Sequence, residues 1–289
     1  MYPSLMPDMI GANVDPFATI DLCARHAIAG VDLRLDGFDT LFEDRAGVAR
    51  FTMLLAEKHL RPGYVSILPG KINVDQPEWD RGLARLPKLA RLTRDLGYTR
   101  CAAVVLCGHD TLDFQQQWDL HVNRIREAMD VLNEYGIRLA LEYVAPLTRR
   151  AAFKHPFIHT LRELLDLFEA VDRPGVGVLL DCFHWYCARE TVGDITALSN
   201  EQVVVVHVND AIPDRPIDEQ TVSERLLPGE SGVIDLAGFF GALRAIGYDG
   251  PVTCEPTHPM WSSINPELAA QRTAASLRKF IPASTMAAQ

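Results

Sequence analysis

The chain has 289 residues, 48% hydrophobic and 23% charged, with 19 Gly and 18 Pro spread along it, which excludes disordered and collagen-like classes. Its 28 Lys and Arg against 38 Asp and Glu leave a net charge of -10, without the basic block that binding to a nucleic-acid backbone requires. No stretch of 18 apolar residues runs uncharged, so neither nucleic acid nor membrane is an expected partner.

Short runs rich in Val, Ile and Leu alternate with longer segments of helical periodicity, the pattern of parallel βα units. A first strand is expected at residues 9–14, followed by a helix that Asp15 caps, Pro16 opens and residues 18–27 continue. Strands at 30–35, 61–68 and 99–106 alternate with helices at 46–58, 79–96 and 118–135, the last stopped by Gly136. Strand 138–143 leads through a long loop to helix 160–171, and strand 176–181 is followed by strand 203–208 and helix 236–246, which Gly247 ends. Strand 251–255 and a helix beginning at Asn265-Pro266 complete the series, and residues 282–289 read as a frayed tail. Eight units of about 36 residues suit an α/β fold of one domain, a single (β/α)8 TIM barrel over residues 1–289. The rival, an open doubly wound sheet, lacks a Gly-x-Gly-x-x-Gly turn after any strand.

Six cysteines, Cys23, Cys101, Cys107, Cys182, Cys187 and Cys254, form no Cys-x-x-Cys pair, and several lie in apolar runs. They fit a reducing compartment. Residues 1–16 show no basic segment followed by an apolar one, so a cytoplasmic location is expected.

In a barrel of this kind, polar residues at the C-terminal strand ends point into the site. Four consecutive strands end Leu141-Glu142-Tyr143, Leu180-Asp181, Val206-His207-Val208 and Cys254-Glu255-Pro256. Glu142, Asp181, His207 and Glu255 therefore form a candidate metal set of three carboxylates and one imidazole without thiolate. It suits one divalent ion, Mn²⁺ first, with Mg²⁺, Co²⁺ or Zn²⁺ also open. Any one of these residues alone reads as well as a salt-bridged strand end or a core histidine. Four at matching places need a shared partner, because an uncompensated charge at the end of an apolar run is costly to bury.

Around this set, His184 falls just past the sixth strand, where its imidazole would reach a substrate oxygen. Arg225 precedes the turn-rich Leu226-Leu227-Pro228-Gly229-Glu230-Ser231-Gly232 and would reach over the site toward a hydroxyl or an anionic substrate end. Asp210 and Glu230 are candidates to orient ligands or Arg225, and His109 and Asp110 are weaker site candidates. Phe183, Trp185 and Tyr186 read either as an apolar wall or as core, and Arg149, Arg150 and Lys154 as a solvated loop or an anion site.

In their order, Leu-Glu-Tyr, Leu-Leu-Asp-Cys-Phe-His-Trp-Tyr, His-Val-Asn-Asp, Leu-Pro-Gly-Glu-Ser-Gly and Thr-Cys-Glu-Pro resemble the xylose-isomerase-like sugar phosphate isomerase/epimerase superfamily over nearly the whole chain. The resemblance implies a (β/α)8 barrel with one catalytic divalent metal on Glu142, Asp181, His207 and Glu255, and substrate contacts from His184 and Arg225. It also implies an enzyme acting on a small-molecule sugar, sugar phosphate or polyol ketone, often as a dimer or tetramer. Its members include ketose 3-epimerases, hydroxypyruvate isomerases, inosose isomerases and dehydratases, and 3-dehydroshikimate dehydratases. The expected reaction is isomerisation or epimerisation through an enediolate, with Glu142 and Glu255 as the catalytic acid/base pair. Loss of a β-hydroxyl, a dehydratase reaction, is the alternative. An abasic-site nuclease on the same barrel would need three zinc ions and many more His and acidic ligands than the nine histidines and the acidic balance supply. The segment at residues 143–159 is longer than simple epimerases usually carry, which weakens any transfer of their substrate preference.

Overall fold

In the computed structural model, which describes residues 1–35 and 37–282, the backbone closes into a parallel eight-stranded barrel. Its strands are β1 (Tyr2–Leu5), β2 (Gly30–Arg34), β3 (Arg61–Ser66), β4 (Arg100–Val105), β5 (Arg138–Tyr143), β6 (Val176–Asp181), β7 (Val203–Val208) and β8 (Pro251–Cys254). Each pairs with its neighbours in sequence, and β1 closes the ring on β8 with Tyr2 opposite Pro251 and Ser4 opposite Thr253. Beyond Pro282, the tail expected at residues 282–289 lies outside the described residues.

Seven of the eight strands fall where the apolar runs place them, and the first does not. The expected strand at residues 9–14 is instead a single 3-10 turn, Pro7–Ile10, closed by Gly11 at φ 70°, with the real β1 seven residues earlier. Pro3 explains the misreading: a proline interrupts a short apolar run and lacks the N–H that a central strand donates, so the run reads as loop. Backbone bonds from flanking residues, such as Tyr2 N–H to the Gly250 carbonyl at 3.0 Å, hold β1 in place.

The helices outside the barrel are α1 (Pro16–His26), α2 (Arg45–Glu57), α3 (Gln76–Asp95), α4 (Phe114–Glu134), α5 (Leu161–Val171), α6 (Cys182–Cys187), α7 (Leu236–Ala245) and α8 (Pro266–Leu277). Sequence dictates their starts. Asp15 accepts hydrogen bonds from the Phe17 and Ala18 N–H groups, and the Asp113/Gln116 and Thr160/Glu163 pairs form reciprocal capping boxes at α4 and α5. On α4, Val122, Ile125, Ala128, Met129 and Leu132 recur at three- and four-residue spacing and are buried. Each large side chain on that face contributes roughly 1.5–3 kcal/mol. Further short helices, Leu147–Arg150 and Val192–Thr196, lie in connecting loops. Among the described residues, no helix is long and apolar enough to cross a membrane, and all six cysteines are buried free thiols.

Strand alternation decides which residues see the barrel interior. On β5, Leu139, Leu141 and Tyr143 pack outward into the main core, while Ala140 joins Met6, Tyr64, Leu179 and Val205 in a separate small cluster. Two residues further along β5, β6 and β7, the same inward face carries Glu142, Asp181 and His207. On the β1–β3 side the interior holds a fully buried carboxylate, Asp32. It accepts hydrogen bonds from Ser4 Oγ (2.6 Å), Tyr64 N–H (3.0 Å) and Thr253 Oγ1 (2.7 Å). Burial pushes its pKa up to about 6, against the pull of the Ser4 and Thr253 hydroxyls. Gly63 makes room for it, since a Cβ there would lie 1.9 Å from Asp32 Oδ1.

Candidate metal centre

Four strand ends converge at the C-terminal mouth of the barrel. The register sets Asp181 beside His207, and the Glu255 N–H extends the β8 ladder by one bond to the Val208 carbonyl at 3.0 Å. One donor atom from each of Glu142, Asp181, His207 and Glu255 lies within 4.8 Å of the others, so the structure brings all four expected ligands together. Glu142, Asp181 and His207 are buried, and the side chain of Glu255 keeps 18% exposure at the mouth.

The four are held unequally. Asp181 caps α6 through the Phe183 N–H (2.6 Å), accepts from Asn209 Nδ2 with both oxygens (3.2 Å each), and pairs with Arg225 Nη1 (3.0 Å). His207 Nδ1 lies 3.2 Å from Glu255 Oε2 and 3.8 Å from Glu142 Oε1, while its Nε2 meets the Tyr64 hydroxyl at 3.0 Å. Glu142 Oε1 is buried without a hydrogen-bond partner, an arrangement that ordinarily costs about 1–3 kcal/mol, more for a charged group. That orphaned oxygen, facing two further carboxylates and one imidazole, fits a divalent cation of the hard or borderline kind.

The electrostatics follow from this crowding. Burial, then the charges of Glu255 and Asp181, raise the Glu142 pKa well above the usual carboxylate range. Burial also raises Asp181, to about 6, against the pull of Arg225. Burial would raise Glu255 as well, but Arg225 and the hydrogen bond with His207 outweigh it and hold this carboxyl far below the usual range. Burial alone would lower His207, yet its bond with Glu255 and the surrounding carboxylates lift it to about 9.

Arg225 reaches the centre because its loop doubles back. Asp210 and Leu226 exchange two backbone hydrogen bonds, at 2.9 and 2.8 Å, in an isolated antiparallel bridge. The buried guanidinium then donates to Asp181, Glu255 (3.2 Å) and Thr257 Oγ1 (3.0 Å) and lies over the Phe183 ring. Arg225 is thus engaged with two candidate ligands. Asp210 and Glu230 do not touch it: Asp210 accepts from the backbone N–H groups of Ala211, Ser231, Gly232 and Ile234, and Glu230 from the Leu227 N–H and Arg272. Their role is to shape the loop.

His184 sits on α6 with Nδ1 accepting the Ala145 N–H (3.3 Å) and Nε2 3.9 Å from Glu142 Oε1. Burial, then Arg225, lowers its pKa to about 3, so a neutral ring directs its Nε2–H at the centre. His109 and Asp110 bond elsewhere, to the backbones of Thr111 and Leu112 and of Lys154. Trp185 packs on Phe239, and Arg149 and Arg150 fold onto Phe153 and the Ala145 carbonyl within their own loop. Sequence reasoning missed Tyr64, Asn209 and Thr257. A pocket of about 200 Å³ opens over Glu142, His207 and Glu255, walled by Met9, Tyr64 and Leu179 with Arg34 among its lining residues. Arg34 is paired with Asp8 through Nε at 2.8 Å.

Comparison with known proteins agrees with this arrangement of elements. The chain is 24% identical over 251 residues to an inosose isomerase of Bacillus velezensis, covering 86% of this chain and 85% of that one. Among solved structures it is similar to a xylose isomerase domain protein of Alicyclobacillus acidocaldarius, with a TM-score of 0.85, 29% identity and 99% of each chain covered. It also shares its fold with an IolI protein crystallised with a zinc atom, with a TM-score of 0.79, 20% identity, and 98% of this chain and 100% of that one covered. A family model described as the xylose isomerase-like TIM barrel matches residues 20–280, and the chain belongs to that family.

Proposed function

We propose that this protein is a divalent-metal-dependent isomerase or epimerase of a sugar, sugar phosphate or polyol ketone. The observation that carries the reading is the convergence of Glu142, Asp181, His207 and Glu255 from four successive strands, with a buried carboxylate oxygen left unpartnered. Those four residues would hold the ion. When bound, it would act as a Lewis acid on a substrate carbonyl and the neighbouring hydroxyl, lowering the cost of the negative charge left when the intervening carbon loses its proton. Mn²⁺ is the occupant we favour. The IolI protein, which shares this fold, was crystallised with a zinc atom, which supports a divalent metal as the occupant.

The chain's own groups then divide the work. Glu142 and Glu255 come from β5 and β8, with β6 and β7 between them, and so approach a substrate between them from different sides. One takes the proton from the carbon next to the carbonyl; returned by the other to the opposite face of the same carbon, it inverts that centre, and returned instead to the former carbonyl carbon, with the hydroxyl proton passing to the former carbonyl oxygen, it moves the carbonyl along the chain. His184 directs an N–H donor to the same space, where it would steady charge growing on a substrate oxygen. Arg225 holds Asp181 and Glu255 in place.

The test is incubation of metal-reconstituted protein with ketoses, inososes and keto acids in D₂O, followed by NMR. Deuterium entering at a carbon next to a carbonyl, absent in Glu142→Gln and Glu255→Gln, supports the isomerase reading. A product that has lost water and gained a conjugated chromophore would replace it with a dehydratase. Metal-loaded protein that binds these ligands without exchange or turnover would overturn both.

A further inference from the structure

Among the described residues, Tyr64 is the one side chain outside the four candidate ligands that bonds to His207 on the face turned away from the cluster. We propose that Tyr64 is a positioning residue that fixes which nitrogen of His207 binds the metal: its hydroxyl oxygen accepts the Nε2 proton and leaves Nδ1 as the ligand atom. The inference rests on the metal reading above and adds a residue that the strand-end pattern does not contain.

Geometry carries the assignment. His207 Nδ1 faces the cluster, 3.2 Å from Glu255 Oε2 and 3.8 Å from Glu142 Oε1, while Nε2 points back at Tyr64 Oη, 3.0 Å away. A bond between a hydroxyl and an imidazole nitrogen can run either way, so the proton on His207 decides it. Without an ion, Nδ1 carries a proton that it donates to the ionised Glu255. An ion taking the Nδ1 lone pair would displace that proton and leave the ring N–H on Nε2, with Tyr64 Oη as the acceptor within reach. Met9 Sδ, 3.8 Å from Tyr64 Oη, then offers the phenol proton a weak acceptor of its own. A metal-ligating histidine characteristically donates its other N–H to an oxygen acceptor, which fixes the ring and its tautomer.

The position of Tyr64 is itself built in. Its backbone N–H is bound by Asp32, and that carboxylate also holds Ser4 of β1 and Thr253 of β8. Thr253 lies two residues before Glu255 on the same inward face. One buried carboxylate thereby ties together the strand that presents Tyr64 and the strand that presents a candidate ligand. His184 gives the contrast: it too carries its proton on Nε2, because Nδ1 accepts the Ala145 N–H, but it turns that N–H toward Glu142. With an ion bound, the two rings would share one tautomer in opposite aspect, His207 giving the centre a lone pair and His184 giving it a proton.

The experiment uses the full chain with Zn²⁺, a diamagnetic probe, ¹⁵N-labelled histidine, and chelator competition for affinity. In the zinc-loaded wild type, the expected spectrum shows His207 coordinated through Nδ1, with a slowly exchanging proton on Nε2. Tyr64→Phe should weaken zinc binding about 10–100-fold and speed exchange of that proton. A Phe variant with wild-type affinity and unchanged exchange would overturn the inference, as would a wild-type spectrum showing coordination through Nε2. If the variant does not fold, the wild-type spectrum still decides. Wild-type protein that takes up no zinc, manganese or magnesium would instead sink the metal reading, and this inference with it.

Discussion

Asp32 and Glu142 are both buried carboxylates on inward-facing strand positions, one in the β1–β3 half of the barrel and the other in the β5–β8 half. Asp32 is surrounded by neutral donors, two hydroxyls and a backbone N–H, that account for both its oxygens. Glu142 faces Glu255, Asp181 and two imidazoles, and its Oε1 has no hydrogen-bond partner. The first arrangement is complete within the protein; the second becomes complete only with something added. Burial raises both pKa values, so the raised pKa does not separate structure from function, and the satisfaction of the oxygens does.

The comparison can be broken most decisively at Glu142. Glu142→Gln and Glu255→Gln should each lower turnover about 10²–10⁴-fold, the range for a general acid or base, with far-UV circular dichroism unchanged. Wild-type rates in both would remove the acid/base assignment. Next in size is the response to added metal. A divalent cation at a thousandfold excess over its Kd should stabilise the wild type by about 4 kcal/mol in denaturant unfolding. Asp181→Ala should lose most of that gain, and an equal gain in the variant would place the ion elsewhere.

Asp32 sharpens the other side of the comparison through pH. Its folded pKa, about 6, lies above the ordinary value of 3.8, so between those values the folded protein holds more proton at this group than the unfolded chain does. The contribution of Asp32 to stability is therefore present at low pH and falls as pH rises through this window, by on the order of 3 kcal/mol. Asp32→Asn removes the slope, so unfolding measured from pH 4 to 7 should show the variant gaining on wild type as pH rises. Parallel curves would mean that Asp32 does not titrate as described. The smallest effect is expected from Gly63→Ala, whose Cβ would press on Asp32 Oδ1 and Ser4 Oγ. Overpacking of this kind costs about 1–3 kcal/mol, read as a lower denaturation midpoint, and an unchanged midpoint would show that β3 yields there.

The two halves were also unequally legible in the sequence. Glu142, Asp181, His207 and Glu255 stand out because each ends an apolar run at a place where the barrel directs side chains into a site. Asp32 carries the same signal of a charge in an apolar run, Val31-Asp32-Leu33, but one layer lower, where the pattern gives no reason to expect a site. Tyr64 is hidden for another reason. Aromatic residues favour strands, so a tyrosine there reads as packing, and only the register brings its hydroxyl to His207. The partners of Arg225 depend on the Asp210–Leu226 bridge, a contact between residues 16 apart in sequence that composition does not encode. The misplaced first strand has a local cause in Pro3 and leaves the site untouched.

The engagement of Arg225 has a consequence for charge balance. Three carboxylates and one guanidinium leave the centre with two negative charges, a deficit that a single divalent cation neutralises and a monovalent one does not. The same deficit favours protons: at Glu142 it adds to burial in raising the pKa, and at His207 it outweighs burial. Metal and protons are thus competing occupants of one electrostatic well, and loading the centre near neutral pH should acidify an unbuffered solution as the ion displaces them.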